Sequence, residues 1–359
     1  MGGSGNGGDG WRHAGGDAIR SLVRMPKSPS PRLAVSVRAA LAIGLPLALG
    51  TLLVRPDLGL QAAAGAFAPL FASALPPRER IKVLSIVSLA LLVCAALGAL
   101  FAPWVWVLAA GLVLLAPVAT ALSLAYRLGP PGPVFFVLMY GLASNVTGLG
   151  ADGERRADPW LFLGLVAAGS ILSAIVTLAP LALPRHFRAA PRPLRELLPG
   201  PWLGSGESVL VARVAVVAVV GTVISVIWLD DTHAYWTVAA GVAVVGVVPV
   251  RRVSLERALH RTLGTVLGAL LFLLVAPLVT VPWVLVAALV LLQFAIEMTV
   301  VRNYALALAF ITPLVLFINE AAMGAAQVHH VAMERVSDTV VGSALAVLTA
   351  LMHRTRTPG

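Results

Sequence analysis

The chain has 359 residues, of which 59% are hydrophobic and only 12% charged, with a net charge of +10 and a mean hydropathy of +0.92. A soluble domain carries about 25% charged residues to dress its surface in water, so a water-soluble globule is excluded and lipid must be a main solvent. The single cysteine, Cys94, lies in an apolar run, excludes an internal disulfide and reads as a small buried hydrophobe.

Residues 1–32 are rich in Gly, Ser and Pro, hold five basic residues and lack an apolar h-region. They read as a disordered basic cytoplasmic tail rather than a cleavable signal. A spanning helix needs about 20 mostly apolar residues. Breaks at Pro, Gly and charge clusters predict spans over 33–54, 58–75, 83–102, 104–125, 132–150 and 159–183, a first half over 33–183. The second half, 207–352, predicts spans over 207–229, 234–250, 259–278, 281–300, 303–319 and 331–352. Residues 184–206 form a short, basic, Pro-rich linker, and 353–359 a second cytoplasmic tail. The joins at 102–104 and 278–281 fit one long bent helix as well as two. The expected fold is an all-α polytopic membrane protein of about 12 transmembrane helices.

Basic residues mark cytoplasmic loops. With an inside N-terminus, 20 of the 26 fall on inside segments, while Arg55, Arg155 and Arg156 are the 3 outside. That asymmetry predicts a multi-pass membrane protein with both termini cytoplasmic. It also accounts for the basic surplus as topology, so no nucleic-acid partner is expected. No phosphate-binding loop, nucleophile–base order or metal-ligand cluster stands out, so neither an enzyme nor a cofactor or metal site is expected.

The stretch "LQAAAGAFAPLF" at 60–71 returns in "AYWTVAAGVAVVGVV" at 234–248, its Ala-Ala-Gly core shifted by 176 residues. Arg38 matches Arg213 and Arg127 matches Arg302, each 175 residues on, and Asn145 matches Asn319 after 174. The matched order predicts two parallel six-helix repeats, related by an axis along the membrane normal. The duplicated spans are short and carry Gly65 and Gly241, with Pro69 or Pro249 beyond. Short, Gly/Pro-interrupted spans at matching places point to a transporter's central site, although Ala-Ala-Gly also suits close helix packing.

"YWTV" at 235–238, "RTLGTVLGALL" at 261–271 and "ERVSDTVVGSALA" at 334–346 resemble the fusaric acid resistance and aromatic acid exporter family. The resemblance rests on Tyr235 and Trp236, on Arg261, Gly264, Thr265 and Gly268, and on Arg335, Asp338, Thr339 and Gly342. It covers the second half well and the first only by pattern. It implies an inner-membrane secondary transporter that exports aromatic carboxylates or similar organic anions at the expense of the proton gradient. Larger family members carry a soluble cytoplasmic region, for which the linker leaves no room.

Ionisable groups inside a span are costly and default to functional candidates. Glu334, Arg335 and Asp338 share roughly one face of the last span. Arg335 would hold a substrate carboxylate through its fork and Asp338 would carry a proton; otherwise the two form a self-satisfying pair. Arg38 and Arg213 read as an anion-gathering vestibule or as snorkelling side chains, and Glu297 as a local partner of Arg302. Tyr235 and Trp236, behind His233, read as an interfacial belt or a stacking surface for substrate. His329 and His330 are weak candidates for pH sensing or metal. The expected partners are therefore a small organic anion, protons and the bilayer, with a homo-oligomer left open. An anion channel, or a scaffold or enzyme for lipid-linked envelope precursors, are the alternatives.

Overall fold

The computed structural model describes residues 19–22, 26, 32–73, 75–150, 152–179, 190–246, 250–279, 281–323 and 328–350. Most of the N-terminal tail, the linker at 180–189, Pro249 and the C-terminal tail lie outside the described residues. The helices of the first half are α1 (Leu33–Leu52), α2 (Pro56–Ala63), α3 (Pro77–Phe101), α4 (Val105–Ala125), α5 (Val134–Thr147) and α6 (Pro159–Leu178). Those of the second are α7 (Ser205–Trp228), α8 (Ala234–Val245), α9 (Arg251–Val275), α10 (Pro282–Thr299), α11 (Tyr304–Met323) and α12 (Val328–Thr349). A single turn, Leu194–Leu197, precedes α7.

Local chemistry explains several boundaries. Proline in the first turn, where the missing N–H would have no partner anyway, opens α2, α3, α6 and α10. Asp158 caps α6 by accepting a bond of 2.7 Å from the Leu161 N–H. Both doubtful joins resolve as two helices: α3 ends at Phe101 before α4 starts at Val105, and α9 runs through a 3-10 turn, Ala276–Leu278, before Pro282.

Among the described residues, seven helices, α1, α3, α4, α6, α7, α9 with its 3-10 extension, and α10, are long and apolar enough to cross a membrane. Their outward faces carry unburied large apolar side chains, such as Leu114 (67% exposed), Ile171 (62%) and Leu274 (73%), which only lipid would cover without penalty. Trp104, Trp106, Trp160, Trp228 and Trp283 lie exposed at the ends of these helices. The apolar helices α5, α8 and residues 304–319 of α11 are shorter. The predicted span 58–75 is broken: after eight α-helical residues, α2 tightens into a 3-10 segment, Ala64–Leu70, that contains Pro69.

The interior is built around α8. Its 12 residues extend about 18 Å, short of a hydrocarbon core of about 30 Å. All of them but Ala243 are buried. It is sheathed by α12 and α7, with α5 and α9 completing the ring. Elsewhere α3 packs on α5, α9 on α11, α2 on α6, α1 on α10 and α4 on α7.

Small residues permit the tightest approaches. Gly342 of α12 lies against the Thr237 carbonyl and the Gly241 N–H of α8, and Gly169 of α6 against the Ala62 carbonyl of α2. Gly342→Val is therefore expected to cost about 1–3 kcal/mol by overpacking, read as a lower melting temperature of the purified protein in detergent.

Part of the tail is ordered against the second half, contrary to the expectation of disorder across 1–32. Residues 19–22 are helical. Ser21 Oγ lies 2.7 Å from His260 Nε2, Asn303 Nδ2 donates to the Leu22 carbonyl at 2.6 Å, and Arg32 pairs with Glu297 at 2.9 Å. Glu297 thus takes Arg32, not the nearby Arg302, as its ionic partner, because the tail crosses the end of α10.

Candidate functional site

The α7–α8 connection sets up the site. Asp230 Oδ1 accepts from the Thr232 N–H and from Thr232 Oγ1, both at 2.6 Å. This local turn, of the kind short Asp side chains favour, delivers His233 to the cap position of α8. Tyr235, Trp236 and Thr237 follow in the first turn, Trp236 and Thr237 facing α12, and the Gly342 approach brings the α12 segment that carries Glu334, Arg335, Asp338 and Thr339 against this end of α8.

Arg335 is 2% exposed. It lies seven residues beyond Val328, the first residue of α12, or about 10 Å along the helix axis. Its guanidinium carbon sits 4.9 Å above the centre of the Trp236 ring, a cation–π contact. Its Nε and Nη1 have no hydrogen-bond partner in the protein. Asp338, one turn on, is equally buried, yet the two form no ion pair: Asp338 Oδ1 accepts instead from Thr237 Oγ1 at 2.5 Å, and Ser225 Oγ donates to that hydroxyl at 2.9 Å. Asp338 Oδ2 has no partner, and neither do Tyr235 OH, Trp236 Nε1, Thr339 Oγ1 and Ser343 Oγ. A buried polar group without a partner costs about 1–3 kcal/mol, and more if charged. Donors outnumber acceptors in this group, so its chemistry suits an anion.

Beside this group lies a second one. His233 stacks on Trp236 with ring centres 4.2 Å apart. Its Nδ1 is 3.3 Å from Asp230 Oδ2 and 3.5 Å from Glu334 Oε2, and its Nε2 is 3.2 Å from Asn145 Nδ2 of α5. His330 Nδ1 contacts Glu334 Oε1 at 2.9 Å. Burial pushes the Asp230 carboxyl up, but hydrogen bonds from His233 and Thr232 outweigh it and hold the group below the ordinary carboxylate range.

The other expected residues fall into place differently. Tyr235 and Trp236 are no interfacial belt: they are 4% and 0% exposed, and the Tyr235 ring is pressed on Gly141 of α5. Because α8 is so short, its first turn starts inside the protein. Gly65 and Gly241 sit at helix contacts, against Ser170 and Val166 of α6 and against Val217 and Gly342, so they space helices rather than line the group around Arg335. Gly264 and Gly268 likewise admit α11, against the carbonyls of Ala305 and of Leu308 and Ala309, and Thr265 is buried with them.

Arg261 is buried, donates through Nη1 to Tyr304 OH at 2.9 Å, and lies within electrostatic reach of Arg335. Arg213 does not snorkel and opens on no vestibule. It is 0% exposed and binds Ser254, Thr349 and the Ala346 carbonyl, tying α7 to α9 and α12, whereas Arg38 is half-buried. Thr237, Tyr304 and Asn145 join these groups without having been singled out as site residues. Only the position of Thr237 inside "YWTV" was a signal for it.

The arrangement is that of a multi-span helical membrane protein whose ionisable groups converge at one interior helix. Residues 216–349 match the fusaric acid resistance protein-like family, a stretch that holds Asp230, His233, Trp236, Arg335 and Asp338. An uncharacterized membrane protein of Bacillus subtilis (strain 168), YvaC, is 28% identical over 154 residues, covering 43% of this chain and 24% of that protein's length. No solved structure matches the chain.

Proposed function

We propose that the protein is a secondary transporter of organic anions, aromatic carboxylates foremost, with Arg335 as the anion anchor and Asp338 as the proton-carrying partner. The observation that carries this reading is the pair of unpartnered, buried nitrogens on Arg335, held over the Trp236 ring. A guanidinium binds a carboxylate through two parallel N–H donors, and an arylcarboxylate adds a ring that suits an aromatic-lined interior. An anion on Arg335 and a charge on Asp338 repel, so filling the site and protonating Asp338 go together. Because the proton enters the site together with the anion, an inward proton gradient favours uptake; export, the direction that resistance in the family's description implies, then runs on the outward gradient of the anion itself.

On this reading the chain has twelve spans in two parallel six-helix repeats, the symmetry that alternating access uses. The contacts α3·α5, α2·α6, α1·α2 and α3·α6 recur as α9·α11, α8·α12, α7·α8 and α9·α12, and the halves meet through α1·α10 and α4·α7. A two-fold axis would produce this pattern. It pairs α2 with α8, the two shortened elements, in equivalent places. The excess of Arg and Lys on one set of loops supports cytoplasmic termini in the plasma membrane, which sets Asp230, His233 and Glu334 toward the outside.

A channel on the same scaffold is favoured by one observation, the second buried guanidinium of Arg261 near Arg335. Proteoliposome flux separates the two. Benzoate flux accelerated by acid on the benzoate side, and losing that acceleration in Asp338→Asn, supports the carrier; voltage-driven current unchanged by Asp338→Asn supports the channel and overturns proton coupling.

A further inference from the structure

We infer that Asp230, His233 and Glu334 form a binding site for a divalent transition-metal ion, with Zn2+ the best fit, at the mouth of the α8–α12 interior. One oxygen or nitrogen from each residue lies within 4.8 Å of the others. Two edges of that triangle, His233 Nδ1 to Asp230 Oδ2 at 3.3 Å and to Glu334 Oε2 at 3.5 Å, match the ligand–ligand separation of about 3.4 Å in a tetrahedron with metal–ligand bonds of about 2.1 Å. Only the Asp230–Glu334 edge has to close. The set is one imidazole and two carboxylates, a mixed nitrogen and oxygen donor set that suits zinc.

The hydrogen bonding points the same way. His233 Nδ1 faces three oxygens at once, those of Asp230 and Glu334 and Thr232 Oγ1 at 3.2 Å. One N–H has one direction and serves one of them, whereas a cation serves both carboxylates. The carboxylate oxygens of Asp230 and Glu334 also lie within 4.8 Å of one another, and two like charges so placed favour a cation between them. His233 is 1% exposed, so its tautomer is governed by protein partners.

The second, independent observation is Asn145. Its side chain is 3% exposed, its amide sits on His233 Nε2, and its Oδ1 has no partner. Half a turn of that amide, which exchanges two nearly isosteric atoms, lets the Nε2–H donate to Oδ1. The partnerless position then falls to the Nδ2 amino group in place of the oxygen, and the Nδ1 lone pair is left directed at the metal position. A metal-ligating histidine held through its other nitrogen is the usual second-layer arrangement. The Asp230 and Glu334 side chains are 24% and 14% exposed, which leaves an entry path, and His330, 70% exposed, already reaches Glu334 and completes a fourth position on small movement.

The test is Zn2+ binding to purified, tag-free protein, by equilibrium dialysis with metal analysis, with no transport readout. The expected result is one saturable Zn2+ per chain. Asp230→Asn, a loop substitution that spares the helices, and His233→Ala are each expected to remove stoichiometric binding. Asn145→Asp keeps an acceptor on Nε2 and is expected to retain binding, while Asn145→Leu weakens it by about 10–100-fold. Absence of saturable binding in the wild-type protein, or binding unchanged in both Asp230→Asn and His233→Ala, overturns the site. In that case the two carboxyl groups share a proton.

Discussion

Arg335→Gln is expected to abolish saturable binding of an aromatic carboxylate and, at the same time, to make the ligand-free protein more stable. The two effects have one origin. A guanidinium that is 2% exposed, with two nitrogens unpartnered, keeps a charge out of water without a counter-charge in contact. Such burial opposes folding, and a neutral side chain of similar reach removes the penalty. An incoming carboxylate recovers the same energy as binding. Losing one partner of a buried, charge-assisted contact costs about 2–5 kcal/mol, which weakens binding by about 30-fold or more. A structural arginine behaves oppositely: its loss lowers the melting temperature and leaves binding as it was. Arg335→Lys keeps the charge but not the fork, and its expected affinity falls between the two.

Asp338→Asn is expected to separate anion handling from protons. The Asn side chain is isosteric with the protonated acid, and its Oδ1 still accepts from Thr237 Oγ1, so the contact between α8 and α12 is preserved. With no charge to oppose the anion on Arg335, benzoate binding is expected to lose most of its dependence on pH between about 5 and 8, a range any proton-carrying group must answer to in a cell. Flux driven by a proton gradient is expected to fall to the level seen without one. An unaltered pH dependence would move the proton to another group, of which Glu334 is the nearest on the same helix.

What was legible in the sequence follows from the range of the forces involved. Apolar runs and proline breaks are local, and they place most helix ends within about five residues. The larger misses include the starts of α9, at Arg251 rather than 259, and α3, at Pro77 rather than 83, and the joins at 102–104 and 278–281 are divided only by the structure. The cluster of ionisable groups Glu334, Arg335 and Asp338 in α12 was legible too, because a charge in an apolar run is conspicuous whatever surrounds it. Partners were not legible. Asp338 binds Thr237, 101 residues away, Asn145 of the first half reaches His233 across 88, and Glu297 takes Arg32 across 265. No local pattern encodes these.

Tyr235 and Trp236 show the same limit. An aromatic pair at the start of a span ordinarily marks the interface, but a helix of 12 residues wrapped by α5, α7, α9 and α12 is covered by protein from its first turn. For Arg213 the hydroxyls of Ser254 and Thr349 and the Ala346 carbonyl sit within hydrogen-bond reach. Burial there needs no snorkelling, and only tertiary structure brings those acceptors together.

The most direct test of the central claim is equilibrium binding of radiolabelled benzoate to the purified protein in lipid nanodiscs, wild type against Arg335→Gln, with melting temperatures recorded on the same samples. The account predicts saturable binding that Arg335→Gln removes while the melting temperature of the ligand-free protein holds or rises. Binding that survives Arg335→Gln unchanged, in a variant that still melts cooperatively, would contradict it and return Arg335 to a purely structural role over Trp236.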